Sequence, residues 1–105
     1  MKRLISNVFL SFTLVFLVAG TVFSQDDLEK GKNELKAGNI AKAVDLLKDF
    51  IADNEANPQG YIWLARAYMV QDSIQKAETE LIKGRALAEP NAEIYILLGD
   101  IYVGK

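Results

Sequence analysis

The sequence predicts an all-α domain, a solenoid of antiparallel helix pairs preceded by an export segment. Three observations carry this: an uncharged apolar run near the N-terminus, a self-similarity at an offset of 34 residues, and apolar residues at helical spacing inside each unit. They divide the chain into a leader at 1–24, a first unit at 25–57, a second at 58–91 and the first helix of a third at 92–105.

Lys2 and Arg3 open the leader, and no charge follows from Leu4 to Ser24. A basic start stays on the cytoplasmic side while the apolar stretch enters the translocon. Val22-Phe23-Ser24 puts small or modest side chains at the two positions a signal peptidase reads. Cleavage is therefore expected between Ser24 and Gln25, leaving a periplasmic or secreted product that meets the membrane only in transit. A signal anchor is the competing expectation, because Leu4 to Phe23 is about 20 residues and just spans a bilayer. Gly20 and Thr21 break the apolar stretch and favour cleavage. The chain has no cysteine, so lipid attachment behind the leader is excluded.

Composition removes several function classes. The 105 residues include no histidine and no cysteine, the usual general base and the usual soft metal ligands. No metal and no cofactor is expected. Of 12 Lys and Arg against 14 Asp and Glu, loss of Lys2 and Arg3 leaves 10 against 14, a net charge of -4. The acidic residues are scattered, and a nucleic-acid surface would need clustered cations.

The repeat defines the rest. Tyr61 and Tyr95, Leu64 and Leu98, Ala65 and Gly99, and Tyr68 and Tyr102 are each 34 apart. The same offset relates Gly31 to Ala65, Leu35 to Met69, Ile40 to Ile74, Ala43 to Ala77 and Leu47 to Leu81. In the second unit, Tyr61, Leu64, Ala65 and Tyr68 fall on one helical face. Gln71-Asp72-Ser73 interrupts, with Asp72 or Ser73 expected to cap the following helix through its side chain. Ile74, Ala77, Leu81 and Gly84 form that helix's stripe. The first unit repeats the scheme, turning at Gly38-Asn39 before Ile40, Ala43, Val44, Leu47, Phe50 and Ile51. Asn57-Pro58 and Glu89-Pro90 separate the units, since proline cannot continue a helix. Gly31, Ala65 and Gly99 on first helices, and Ala43 and Ala77 on second helices, are expected to let backbones approach closely.

A 34-residue helix-turn-helix unit with these residues resembles the tetratricopeptide-repeat (TPR) family. The family pattern sets an aromatic, a Leu with a small residue, and a Tyr on the first helix, then Ala, Leu or an aromatic, and a small residue on the second. The best copy is Tyr61, Leu64, Ala65, Tyr68, Ala77, Leu81 and Gly84, with Pro90 at the junction. The partial third copy supplies Tyr95, Leu98, Gly99 and Tyr102. The first copy departs from the pattern, with Asp27, Lys30 and Glu34 where an aromatic, Leu and Tyr belong. Terminal units need a polar outer face, so it reads as the start of the array or as a capping helix pair. Asp26 with Glu29 three residues on marks the helix start.

The resemblance implies a protein or peptide partner held on the concave wall of first helices. Wall candidates by register are Lys32 and Lys36 in unit one, Arg66, Met69 and Val70 in unit two, and Glu93, Ile96 and Asp100 in unit three. They suggest basic charge at one end, an apolar middle and acid at the other. The variant of the family that clamps a C-terminal carboxylate uses Lys, Asn and Arg. This chain has Leu28, Lys32, Trp63, Glu93 and Leu97 at those places, so that specialisation is not implied.

Other candidate chemistry is weak. Residues 99–105 read G-x-x-x-x-G-K, but the Ser or Thr that ends a phosphate loop is lacking and Ile101, Tyr102 and Val103 are bulky. Asp26/Asp27, Asp45/Asp49 and Glu78/Glu80 lack a histidine or apolar cleft to tune them and read as solvated. Trp63, the single tryptophan, is expected to pack against a neighbouring helix, with an aromatic anchor at a binding surface as the alternative. Two units and one helix fall short of a stable array, so further repeats or a C-terminal domain are expected beyond Lys105. The function expected is a non-enzymatic interaction module acting outside the cytoplasm. The alternatives are the N-terminal TPR region of a longer exported enzyme, and a signal-anchored membrane protein.

Overall fold

The computed structural model describes residues 26–87 and 91–104, and every regular element among them is a helix. Helix α1 covers 26–36, α2 Ile40–Asp53, α3 Pro58–Val70, α4 Ile74–Arg85 and α5 Ala92–Gly104. The leader at 1–24 and the Glu89-Pro90 junction lie outside the described residues.

The 34-residue offset governs the ends of helices as well as their faces. At the close of α1, Gly38 takes φ +89°, and the Asn39 N–H reaches back to the Glu34 carbonyl at 2.9 Å. At the close of α3, Asp72 takes φ 59°, and the Ser73 N–H reaches the Tyr68 carbonyl at 2.8 Å. This is the Schellman closure, in which a left-handed residue lets the chain satisfy orphan carbonyls. It corrects the expectation of a side-chain cap at 72–73. Ser73 sits at the cap of α4 without a side-chain bond, and Asp72 is used for its backbone. The starts of α3 and α5 are matched instead through asparagine. Asn57 Oδ1 accepts from the Gln59 N–H and Asn91 Oδ1 from the Glu93 N–H, each at 3.0 Å. Asn39 also donates its amide to Glu34 Oε2 at 2.8 Å. That bond, helped by Lys42, holds the Glu34 carboxyl below its ordinary range.

Consecutive helices pack as antiparallel neighbours, and α3 with α4 share the most extensive interface. Ala43 and Leu47 of α2, and Ala77 and Leu81 of α4, are fully buried at equivalent places. Leu64, Ala65 and Tyr68 of α3 and Leu98 of α5 are buried as well, and Tyr61 is half-buried. Gly31 serves close approach: a Cβ there would lie 2.8 Å from the Leu47 side chain. A Cβ on Gly60 would lie 2.7 Å from Ile51 Cγ1, and one on Gly84 would lie 3.1 Å from Ile94 Cδ1.

The packing roles expected of Tyr95, Gly99 and Tyr102 need correction. Tyr68 is 7% exposed, whereas its equivalent Tyr102 is 48% exposed and Tyr95 is exposed too. A Cβ on Gly99 would meet nothing within 4 Å. The reason is positional: α4 covers this face of α3, and no helix among the described residues covers the same face of α5. Residues 99–104 continue α5, so the G-x-x-x-x-G stretch is helix rather than a phosphate-cradling loop.

Candidate partner-binding face

The first helices of successive units meet in one row of side chains. Trp63, midway along α3, is half-buried, and its lower part packs on the apolar core. Lys32 of α1 places its Nζ 5.2 Å from the centre of the indole ring. Arg66, one turn beyond Trp63, places its guanidinium carbon 4.9 Å from the same centre. The ring face is electron-rich, so each cation is attracted by about 0.5–1 kcal/mol at a partly exposed site. Arg66 Nη2 then donates to Glu93 Oε2 of α5 at 3.0 Å. Glu29 of α1 accepts from Lys32 at 3.2 Å and ends the row.

The row follows from register. Lys32, Arg66 and Asp100 occupy one position in successive units, 34 residues apart. Trp63 stands three residues before Arg66, which is side-by-side spacing on a helix. Glu93 lies in the first turn of α5, which Asn91 caps, and a carboxylate there also suits the helix dipole. The Arg66–Glu93 pair is half in water, with side chains 38% and 44% exposed. Such a pair contributes at most about 1 kcal/mol, so it orients more than it stabilises. Arg66 Nε is buried with no hydrogen-bond partner.

Of the residues expected on the wall, the structure joins Lys32, Arg66 and Glu93 in this row. Met69 and Asp100 line a cleft of about 400 Å³ with Ile74 and Ile101. Val70 and Ile96 are both 63% exposed, and Lys36 is exposed at the end of α1. Lys32 and Lys36 stand on α1 and Glu93 and Asp100 on α5, with one ion pair linking α3 to α5. Arg66 and Glu93 neutralise each other within the face, next to the central aromatic. Trp63 is the residue that sequence reasoning underweighted. Its signal is the cation repeated at 32 and 66, which brackets the ring once α1 and α3 are packed side by side.

A comparison with family models matches the tetratricopeptide repeat over residues 34–101, well over half of the chain. No curated protein and no solved structure matches it. The 34-residue register, the paired helices and this match together establish that the chain belongs to the tetratricopeptide-repeat family.

Proposed function

We propose that the face centred on Trp63 holds a peptide or a segment of a partner protein, and that it does so outside the cytoplasm. TPR units serve in general as protein-interaction modules, and the finer assignment rests on one observation. Trp63, Lys32 and Arg66 form a pre-positioned aromatic and cationic row across α1 and α3, joined to α5 through Glu93, and Val70 of α3 and Ile96 of α5 are exposed. Apolar contact with Val70 and Ile96 supplies the hydrophobic gain. Trp and Arg are the side chains that most often anchor interfaces. The pre-existing pairs mean that a partner need not immobilise loose charged chains on arrival, which lowers the entropic cost of binding. Met69, flexible and half-buried at the edge, adapts to the partner's shape.

The extracytoplasmic setting rests on the basic start and apolar run of the leader. Mass determination of the mature chain is expected to find Gln25 at the N-terminus; an intact leader would restore the anchored reading. The binding reading is tested with the Arg66→Ala and Met69→Ala pair, which is expected to weaken partner capture from envelope extract while the helical circular dichroism is unchanged. Undiminished capture would remove these residues from the face.

A further inference from the structure

The cleft of about 400 Å³ lined by Met69 and Asp100 combines an apolar lining with two unpaired carboxylates. Its size lies within the range of small binding pockets, roughly 300–1,000 Å³. Ile101 of α5 is buried, and Met69 of α3 and Ile74 of α4 are half-buried, so the core holds the apolar lining in place. Its charged lining among the described residues is Asp72, in the turn after α3, and Asp100 of α5. Both are exposed, and neither side chain has an ion pair or hydrogen bond among the described residues. Asp72 also departs from the repeat. Gly38 stands at the matching place, and both residues take a left-handed φ, which glycine adopts at no steric cost. The turn therefore does not call for a carboxylate at 72.

We infer that this cleft takes an extended partner segment carrying one large aliphatic side chain with a lysine or arginine two residues to either side. The aliphatic side chain is buried against Met69, Ile74 and Ile101, and the flexible thioether of Met69 fits itself to it. In an extended segment, residues two apart point to the same side, so both cations face the surface that carries Asp72 and Asp100. The inference rests on the reading that partners meet the first helices, and it names the chemistry they bring. Trp63, Arg66 and Met69 follow one another at three-residue spacing on α3, which makes them neighbours on its surface. The openness belongs to the unit. One unit earlier α4 and α5 both follow, yet the matching Leu35 and Ile40 are only half-buried, and Val70, which matches Gly104, is 63% exposed. The acidity does not repeat, because Gly38 and Arg66 stand there in place of Asp72 and Asp100.

The test uses the full chain and a short labelled peptide with the core Lys-Ala-Leu-Ala-Arg, followed by fluorescence anisotropy. Saturable binding is expected, weakening as salt is raised. Asp100→Asn and Asp72→Gly should each weaken it about threefold, and together about tenfold, as exposed ion pairs do. Asp72→Gly keeps the turn and removes only the carboxylate, so lost binding there is not lost folding. Asp45→Asn, on the exposed side of α2, should leave binding unchanged and so separates the cleft from overall charge. A serine in place of the peptide's leucine should weaken binding about tenfold or more. Absence of saturable binding, equal binding by the two aspartate variants, or equal binding of a Glu-Ala-Leu-Ala-Glu peptide overturns the inference. So does self-association in sedimentation that the peptide dissolves, which would give the cleft to a second copy. Partner capture lost in Trp63→Ala but kept in both aspartate variants would overturn the cleft's role while the Trp63 face stands.

Discussion

Ile94 fills the space that Gly84 leaves open, its Cδ1 lying 3.1 Å from where a glycine Cβ would be. One unit earlier the partners are exchanged. Phe50 stands at the position of Gly84 and Gly60 at that of Ile94, and Phe50 Cδ2 lies 3.0 Å from the missing Cβ of Gly60. The repeat thus keeps the combined volume at the junction between units while swapping which helix supplies it. Close-packed interiors tolerate such exchanges and resist unilateral ones.

The exchange predicts strong coupling. Gly60→Ala should destabilise the domain by about 1–3 kcal/mol through overpacking on Ile51 and Phe50, outweighing the roughly 1 kcal/mol that alanine gains in helix propensity. Gly60→Ile should be worse alone than with Phe50→Gly, which recreates the 84/94 arrangement. A double-mutant cycle by urea denaturation measures the coupling, expected at about 1 kcal/mol or more. Additive effects would show that the two positions do not share one space.

The two Schellman turns predict opposite responses. Gly38 has nothing within 4 Å of its missing Cβ, so Gly38→Ala introduces no clash and destabilises only through its φ of +89°. The expected loss is about 1 kcal/mol. Asp72 occupies the same region at φ 59°, so Asp72→Gly should stabilise by a few tenths to about 1 kcal/mol. Both shifts are read from denaturation midpoints, and a shared sign would contradict the equivalence of the turns.

Much of the fold is legible in the sequence because the repeat writes each packing face twice. Ala43 and Ala77, or Leu47 and Leu81, can be paired by counting, and both pairs are fully buried. The asparagine caps at 57 and 91 are also written at the 34 offset, yet Pro58 and Pro90, two residues out of register, draw attention away from them. Trp63 is less legible. Its type and its apolar neighbours Ile62 and Leu64 suit a core helix equally well. Only the side-by-side packing of α1 and α3, which no local spacing encodes, brings Lys32 over its ring. Tyr95 and Tyr102 share letters with Tyr61 and Tyr68 but not their surroundings, since register reports a residue's face and not what lies opposite it.

The turn after α1 carries a pH signature. Asn39 donates to Glu34 at 2.8 Å and Lys42 stands 3.5 Å away, so the folded carboxyl titrates below its ordinary value. A carboxyl with a lowered folded pKa adds stability that is complete above its unfolded pKa and disappears as pH falls through the folded one. Carbon-detected NMR should therefore place the Glu34 midpoint below that of an exposed glutamate. Asn39→Ala should return it toward the ordinary range and flatten the acid limb of the stability profile. An unmoved midpoint would show that the Asn39 bond does not hold in solution.

Removing single members of the Trp63 row should separate orientation from stability. Glu93→Gln is expected to change stability by less than about 1 kcal/mol, with the difference shrinking in high salt, because the pair is well hydrated. Trp63→Ala removes a half-buried ring and both cation contacts, and should cost about 2–3 kcal/mol, less than a fully buried aromatic. Thermal denaturation of the two variants compares them directly. A larger loss for Glu93→Gln would reverse the assigned roles.

In the proposed function, partners meet the face built from the first helices. Site-specific photocrosslinking from living cells tests it most directly, with the reactive residue at Ile96 or Val70 on that face and at Lys48 on the exposed side of α2. The expected result is a discrete crosslinked protein from Ile96 and Val70, diminished by Trp63→Ala, and none from Lys48. Crosslinks from Lys48 alone, or from Ile96 and Val70 undiminished by Trp63→Ala, would contradict it.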